Sequence, residues 1–260
     1  MQHSQALLKD STVLITGASS GIGKACAEVF AEQGARLVLW SRREDRLEEL
    51  RGALEKYGVE VLVQSVDVRE RDAVEHAAEA LKSFAENVDV LINNAGLSRG
   101  LEPIHEGVGE NWEEMIDTNI KGLLYVTRTI TPSMVARKSG LVINIASIAG
   151  IQPYKGGNVY SATKAAVRML SQSMQIDFNG TGVRVCNIDP GLVETEFSVV
   201  RFRGDSERAS TVYKGYTPLT GLDVAEAALF AATRPAHVSI QDILITPTDQ
   251  ASATVVNKHI

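Results

Sequence analysis

Short apolar runs rich in β-branched residues recur along the chain, separated by longer stretches with helical spacing. The runs are TVLIT (12–16), RLVLW (36–40), VEVLVQSV (59–66), VDVLIN (88–93), LVINIAS (141–147), VRVCNI (183–188) and ILIT (243–246). Most are near-continuous rather than alternating, which suits strands of a parallel sheet covered on both faces. Helices are predicted over 21–33, 44–57, 70–86, 111–137, 158–180 and 222–234, the last with Asp223 capping its start and Pro235 just past its end. Strand–helix alternation on this scale predicts right-handed βαβ units and a doubly wound α/β fold: seven strands, mostly parallel, with helices on both faces. No linker or repeat divides the chain, so one domain over 1–260 is expected, with a short arm at 1–10. The segment 195–221 is the least regular and interrupts the alternation where a substrate-covering loop would sit.

Composition narrows the function. A chain of 260 residues with net charge −6 and no Lys/Arg block beyond Arg42-Arg43 argues against nucleic acid and against an anionic membrane surface as partners. No apolar run approaches the roughly 20 residues that span a bilayer, and the opening MQHSQALLKD lacks the features of a signal peptide. Cys26 and Cys186 lie far apart without metal spacing and read as small buried side chains in a reducing compartment, the cytoplasm. The five histidines are scattered, so no metal is expected.

Chemistry enters after the first strand. In TVLITGASSGIGKACAEVF, Gly17, Gly21 and Gly23 fall at a turn that opens a helix. Glycines there let backbone approach a pyrophosphate, and the helix start offers free N–H groups and positive dipole. The spacing G-x-x-x-G-x-G differs from the general dinucleotide fingerprint. An ordinary tight turn has the same composition, but its place between a strand and a helix favours a Rossmann-type site. The second strand ends in Ser41, Arg42 and Arg43, where a site for NAD usually carries an acid. Guanidinium groups suit a 2′-phosphate, so NADP(H) is the expected cofactor, with Ser41 as a further donor; a solvated start to the next helix is the competing reading. Asp67, after the third strand, can accept from an adenine amine or stand as an exposed loop acid.

These motifs, together with NNAG (93–96), Asn119 in DTNIKG, Ser147 in NIAS, Tyr160 and Lys164 in YSATK, and DPG (189–191), resemble the short-chain dehydrogenase/reductase family in kind and in order. The resemblance spans most of the chain and implies an enzyme that interconverts an alcohol and its carbonyl. It assigns Asn119, Ser147, Tyr160 and Lys164 to catalysis. Tyr160 and Lys164, at i and i+4, share one helix face. An ordinary tyrosine titrates near 10, and a nearby ammonium lowers that value, as would a positive nicotinamide ring, making Tyr160 a usable acid or base. The resemblance further implies that Lys164 bonds the nicotinamide ribose, that Ser147 stabilises the substrate oxygen, and that Asn119 holds a relay water. It places Gly17, Ser19, Ser20, Gly21, Ile22 and Gly23 at the cofactor phosphates, Asp67 and Val68 towards adenine, and Asn94, Ala95 and Gly96 at the adenosine ribose. Pro190, Gly191, Val193 and Thr195 fall to the nicotinamide end. One departure stands out: Ser19 and Ser20 occupy the glycine loop where many NADP-using relatives have a basic residue, leaving the cofactor preference to Arg42 and Arg43.

The segments FSVVRFRGD (197–205) and RPAHVSIQDILITPTDQAS (234–252) look like the branch acting on 3-hydroxy acids, including serine and allo-threonine. A small carboxylate needs a cation near the reacting centre. Arg201 is the main candidate, with Arg203 and Arg99 beside it, and solvated loop charges as the competing reading. Gln152, Pro153 and Tyr154 are expected to form another pocket wall. A semialdehyde, a sulfonated aldehyde or a ketone fits the same chemistry. Two other classes stay open: a non-catalytic dinucleotide sensor or scaffold, and a dehydratase or epimerase using bound cofactor. The long helices 111–137 and 158–180 resemble those that pair between subunits in this family, which implies a homotetramer or, failing that, a dimer.

Overall fold

The computed structural model describes residues 7–85 and 87–259, so most of the expected arm at 1–10 and the predicted helix end at 86 lie outside the described residues. Strands β1 (Thr12–Thr16), β2 (Arg36–Ser41), β3 (Val61–Ser65), β4 (Val90–Asn93), β5 (Gly140–Ile145), β6 (Val183–Pro190) and β7 (Asp242–Ile245) form one sheet in the order β3-β2-β1-β4-β5-β6-β7. Every pairing is parallel. All seven predicted runs become strands, with ends that differ by at most two residues.

Successive strand residues point to opposite faces, and the core divides accordingly. Val13, Ile15, Leu37, Leu39 and Ile92 pack against α1 (Gly21–Glu32), α2 (Glu44–Leu54) and α9 (Gly221–Ala232). Leu14, Val38, Trp40, Leu91 and Val142 pack on the other face against α3 (Arg71–Leu81), α5 (Leu123–Ala136) and α6 (Asn158–Asp177). Cys26 and Cys186 are fully buried free thiols, and burial pushes both up to about 12, which leaves them unreactive.

Three expectations need correction. The predicted helix 111–137 is three segments: α4 (Gly109–Ile116), a π-helical stretch Asp117–Gly122, and α5. Hydrophobic periodicity detects the helical stripe but not a local change of hydrogen-bond register. Asp223 is not the N-cap of α9. Thr220 holds that position, and the Asp223 carboxylate accepts from the Thr220 backbone N–H at 2.7 Å, the acid partner of a capping box. Residues 195–221 are not merely irregular, since they contain α7 (Phe197–Arg201) and α8 (Ser206–Thr211).

The strand order reverses between β1 and β4. That switch point opens a crevice at the carboxyl ends of the strands, the usual ligand position in such sheets.

Candidate active site

A cavity of 410 Å³ lies at this crevice, within the size range of about 300–1,000 Å³ typical of small-molecule sites. At one end, Gly17 has φ +66, and an added Cβ would lie 2.9 Å from Ala95 Cα, so only glycine lets the β1 loop meet the strand beside it. Helix α1 then starts with no side-chain cap and no acid in its first turn. Its free N–H groups and positive end therefore face the cavity, which is lined here by Ser19, Ser20, Gly21 and Ile22. Gly23 is not on the wall; a Cβ there would meet Asn94 Nδ2 at 2.4 Å, so its glycine serves packing behind the loop.

Beyond β2 stand Ser41, Arg42 and Arg43. Arg43 donates to the hydroxyls of Ser19 (2.9 Å) and Ser20 (2.8 Å), joining the β2 end to the phosphate loop. The buried Ser41 hydroxyl accepts from Arg43 N at 3.1 Å. Asp67 and Val68 line the next wall. Burial raises the Asp67 carboxyl, but its hydrogen bonds with Arg69 more than offset this, so it is held below the usual carboxylate range. An uncapped helix start, a glycine cradle and cations in place of an acid together fit a dinucleotide carrying a 2′-phosphate.

At the other end α6 brings Tyr160 and Lys164 to the cavity, both buried, with Ser147 just past β5. The backbone of Ser147 is extended and its hydroxyl accepts from Ala149 N at 3.1 Å. The hydroxyl also makes a long 3.5 Å contact to Pro190 O. Lys164 donates to Ile145 O at 2.8 Å, and its Nζ lies 5.9 Å from the centre of the Tyr160 ring. Asn94, Ala95, Gly96, Pro190, Gly191, Val193 and Thr195 complete the wall between the two ends.

The electrostatics differ from expectation. Burial pushes the Tyr160 phenol up to about 12, Tyr154 adds to the rise, and Arg201 and Ser147 pull only part of it back. Lys164 is brought down to about 8 by burial, against the pull of Asp189. Desolvation is thus the main influence on Tyr160, and the groups that pull it down are Arg201 and Ser147 rather than Lys164. Alone, this pocket readies Tyr160 to donate a proton rather than to accept one.

Asn119 is buried. Its side chain accepts from Leu97 N and donates to Leu97 O, both at 2.9 Å, and to Thr163 Oγ1 at 3.0 Å. It sits behind the wall, clamping the backbone after NNAG to α6, with its amide committed to protein partners. Gln152 is exposed and accepts from Ala253 N at 2.9 Å; it ties the carboxyl-terminal segment down instead of lining the pocket. Pro153 is likewise outside the wall, whereas Tyr154 lines it.

Of the three candidate cations, only Arg201 reaches the cavity. Arg99 is spent on Glu114, with bonds of 2.7 and 2.9 Å, and on Val200 O. Arg203 binds Asn111. The Arg201 guanidinium lies 5.0 Å from the Phe197 ring, 5.4 Å from Tyr160 and 5.7 Å from Tyr154. It donates to Tyr154 Oη at 2.9 Å, while its buried Nε has no partner among the described residues. No carboxylate among the described residues forms an ion pair with it.

Sequence reasoning missed several wall and support residues. Tyr213 bridges Ser198 and Val193 O, each at 2.9 Å. The side chain of Gln250 accepts from Leu192 N at 2.8 Å. Asp189 is fully buried on β6, paired with Arg168 and with Asn187 Nδ2. Asp189 stands within the DPG motif, but its burial and its pairing with Arg168 were not legible in the chain.

The crossover order, the glycine cradle, and the Ser147–Tyr160–Lys164 group define a dinucleotide-dependent oxidoreductase class. Residues 11–205 match the family model described as short chain dehydrogenase, and the chain belongs to that family. It is 49% identical over 242 residues to the NADP-dependent 3-hydroxy acid dehydrogenase YdfG of Salmonella typhi, covering 93% of this chain and 96% of that one. It is 40% identical over 244 residues to the serine 3-dehydrogenase of Agrobacterium fabrum, covering 93% and 96%. Among solved structures it superposes on the closed form of serine dehydrogenase complexed with NADP+ with a TM-score of 0.90, at 45% identity, covering 96% and 99%.

Proposed function

We propose that this protein is an NADP(H)-dependent dehydrogenase that interconverts the alcohol of a small 3-hydroxy acid with its carbonyl. The observation that carries the substrate class is Arg201, a cation without a carboxylate partner among the described residues, lying against the Tyr160 ring. The named activities of the relatives support the same reading. The α1 start would hold the cofactor phosphates, and Ser41, Arg42 and Arg43 the 2′-phosphate. Asp67 and Val68 would meet adenine, Asn94, Ala95 and Gly96 the adenosine ribose, and Lys164 the nicotinamide ribose. Pro190, Gly191, Val193 and Thr195 would face the nicotinamide. Bound NADP(H) supplies or accepts the hydride.

The remaining chemistry belongs to the chain. Arg201 holds the substrate carboxylate and so fixes the hydroxyl carbon in one orientation. Ser147 Oγ donates to the substrate oxygen and stabilises charge that develops there. Tyr160 Oη gives its proton to that oxygen in reduction and takes it back in oxidation. Lys164 steadies the phenolate, and Asn119 acts as a positioning residue that fixes the Leu97 backbone against α6.

The aromatic wall of Tyr154, Phe197 and Tyr213 favours a second reading, a reductase of neutral ketones or aldehydes. Following NADPH absorbance separates the two. Turnover of 3-hydroxy acids with NADP+, and of their carbonyl partners with NADPH, is expected; turnover of neutral carbonyls alone would discard the carboxylate role. We place the protein in the cytoplasm, in keeping with the absence, among the described residues, of any helix long and apolar enough to cross a membrane. A homotetramer is supported by Met169 and Ile176 on α6, which are 62% and 77% exposed; sedimentation at 28.1 kDa would overturn it.

A further inference from the structure

Glu196 is the residue just before α7, and its carboxylate reaches across to the end of β2. It accepts from Arg43 Nη1 at 3.1 Å and from Arg46 Nη1 at 2.7 Å through both oxygens. The other two nitrogens of Arg43 are committed to Ser19 and Ser20. Every guanidinium nitrogen of Arg43 is thus engaged, and Nη1, turned away from the phosphate loop, is held by an acid. Burial raises the Glu196 carboxyl, but hydrogen bonds to Arg46 and Arg43 outweigh it, so the group is held below its ordinary value and stays ionised. Glu196 lines the same cavity as Ser41, Arg42 and Arg43.

A 2′-phosphate recognised by Arg43 carries nearly two negative charges into this neighbourhood, and a carboxylate about 3 Å from the same guanidinium repels it. We infer that Glu196 competes with the 2′-phosphate for Arg43 and Arg46, so that cofactor recognition displaces Glu196 and recruits Arg46 as a further cation. This rests on the NADP(H) reading above and deepens it. The displacement also has a mechanical consequence. Phe197, the next residue, packs tilted at 55° against Tyr160 with ring centres 5.5 Å apart, and Arg201 lies over both rings. Moving Glu196 therefore pulls on the helix that carries the substrate cation, and the 2′-phosphate end and the substrate end share one lever.

The test is calorimetric binding of NADP+, NAD+ and adenosine 2′,5′-bisphosphate to the full chain and to Glu196→Gln. The exposed pairs involved are individually weak, so the variant is expected to bind the two 2′-phosphorylated ligands about five- to tenfold more tightly and NAD+ within about twofold of wild type. Arg46→Gln should weaken the 2′-phosphorylated ligands by a similar factor and leave NAD+ alone. In wild type, adenosine 2′,5′-bisphosphate should change amide hydrogen exchange over 196–204, and in Glu196→Gln that change should be lost. Unchanged or weaker binding by Glu196→Gln, or equal tightening for NAD+, overturns the competition. Equal affinity of wild type for NADP+ and NAD+ would instead overturn the cofactor reading itself.

Discussion

Replacing Arg201 with alanine removes a fork of donors whose Nη2 bonds Tyr154 Oη and whose face lies over three aromatic rings. If the fork also holds the substrate carboxylate, the loss is one charge-assisted interaction worth about 2 kcal/mol, which corresponds to about a thirtyfold rise in KM. Stacking on the rings adds a structural loss that does not depend on substrate charge. The assay must therefore compare a 3-hydroxy acid with its neutral methyl ester under identical conditions. The acid should lose about thirtyfold in KM and the ester no more than about threefold. Arg201→Lys should fall between, since lysine keeps the charge and loses the planar fork. A second signature is separate from binding. Arg201 lowers the proton affinity of Tyr160, and oxidation needs Tyr160 deprotonated, so its removal should move the rising, acid-side limb of the oxidation profile to higher pH for both substrates. Equal losses for acid and ester, or an unchanged KM for the acid, would refute the carboxylate role.

Other outcomes follow from the same geometry. Lys164→Met should abolish turnover yet raise the melting temperature at pH 7. Burial drops the ammonium from 10.5 to about 8, so the charged form costs about 3 kcal/mol below pH 8, at about 1.4 kcal/mol per pH unit. That gain should shrink as pH rises through the window and be gone by about pH 10.5, as thermal denaturation across pH would show. Ser147→Ala should cut kcat about 10²- to 10³-fold while leaving the Kd of NADP+ measured by calorimetry unchanged. Gly17→Ala, at φ +66 and 2.9 Å from Ala95 Cα, should destabilise by about 2 kcal/mol in denaturant and weaken cofactor binding.

Much of the architecture was legible because buried parallel strands leave near-continuous apolar runs, and all seven runs became strands. The site residues with fixed local spacing, such as Tyr160 and Lys164 on one helix face, were equally readable. What escaped depends on long-range pairing. Arg99 and Arg201 look alike in the chain, but only the fold brings Glu114 to Arg99. Gln152 follows the catalytic strand, yet the carboxyl-terminal segment at Ala253 claims its side chain. The upward shift of Tyr160 was not legible because spacing reports a nearby ammonium and says nothing of the burial that dominates the phenol.

The π-helical stretch between α4 and α5 has a consequence for how the gene can vary in length. A π turn contains one residue more than the α turn it replaces, and each residue rotates a helix by about 100°. Deleting one residue of DTNIKG other than Asn119 would restore the regular α register. It would also turn α4 against α5, carrying Met115 away from its cluster with Leu97, Ala149 and Tyr160 and Asn119 away from Leu97. Substitutions in this stretch should be far better tolerated than single-codon deletions. An insertion, ordinarily confined to loops, is here kept inside a helix because the active-site wall is phased to it.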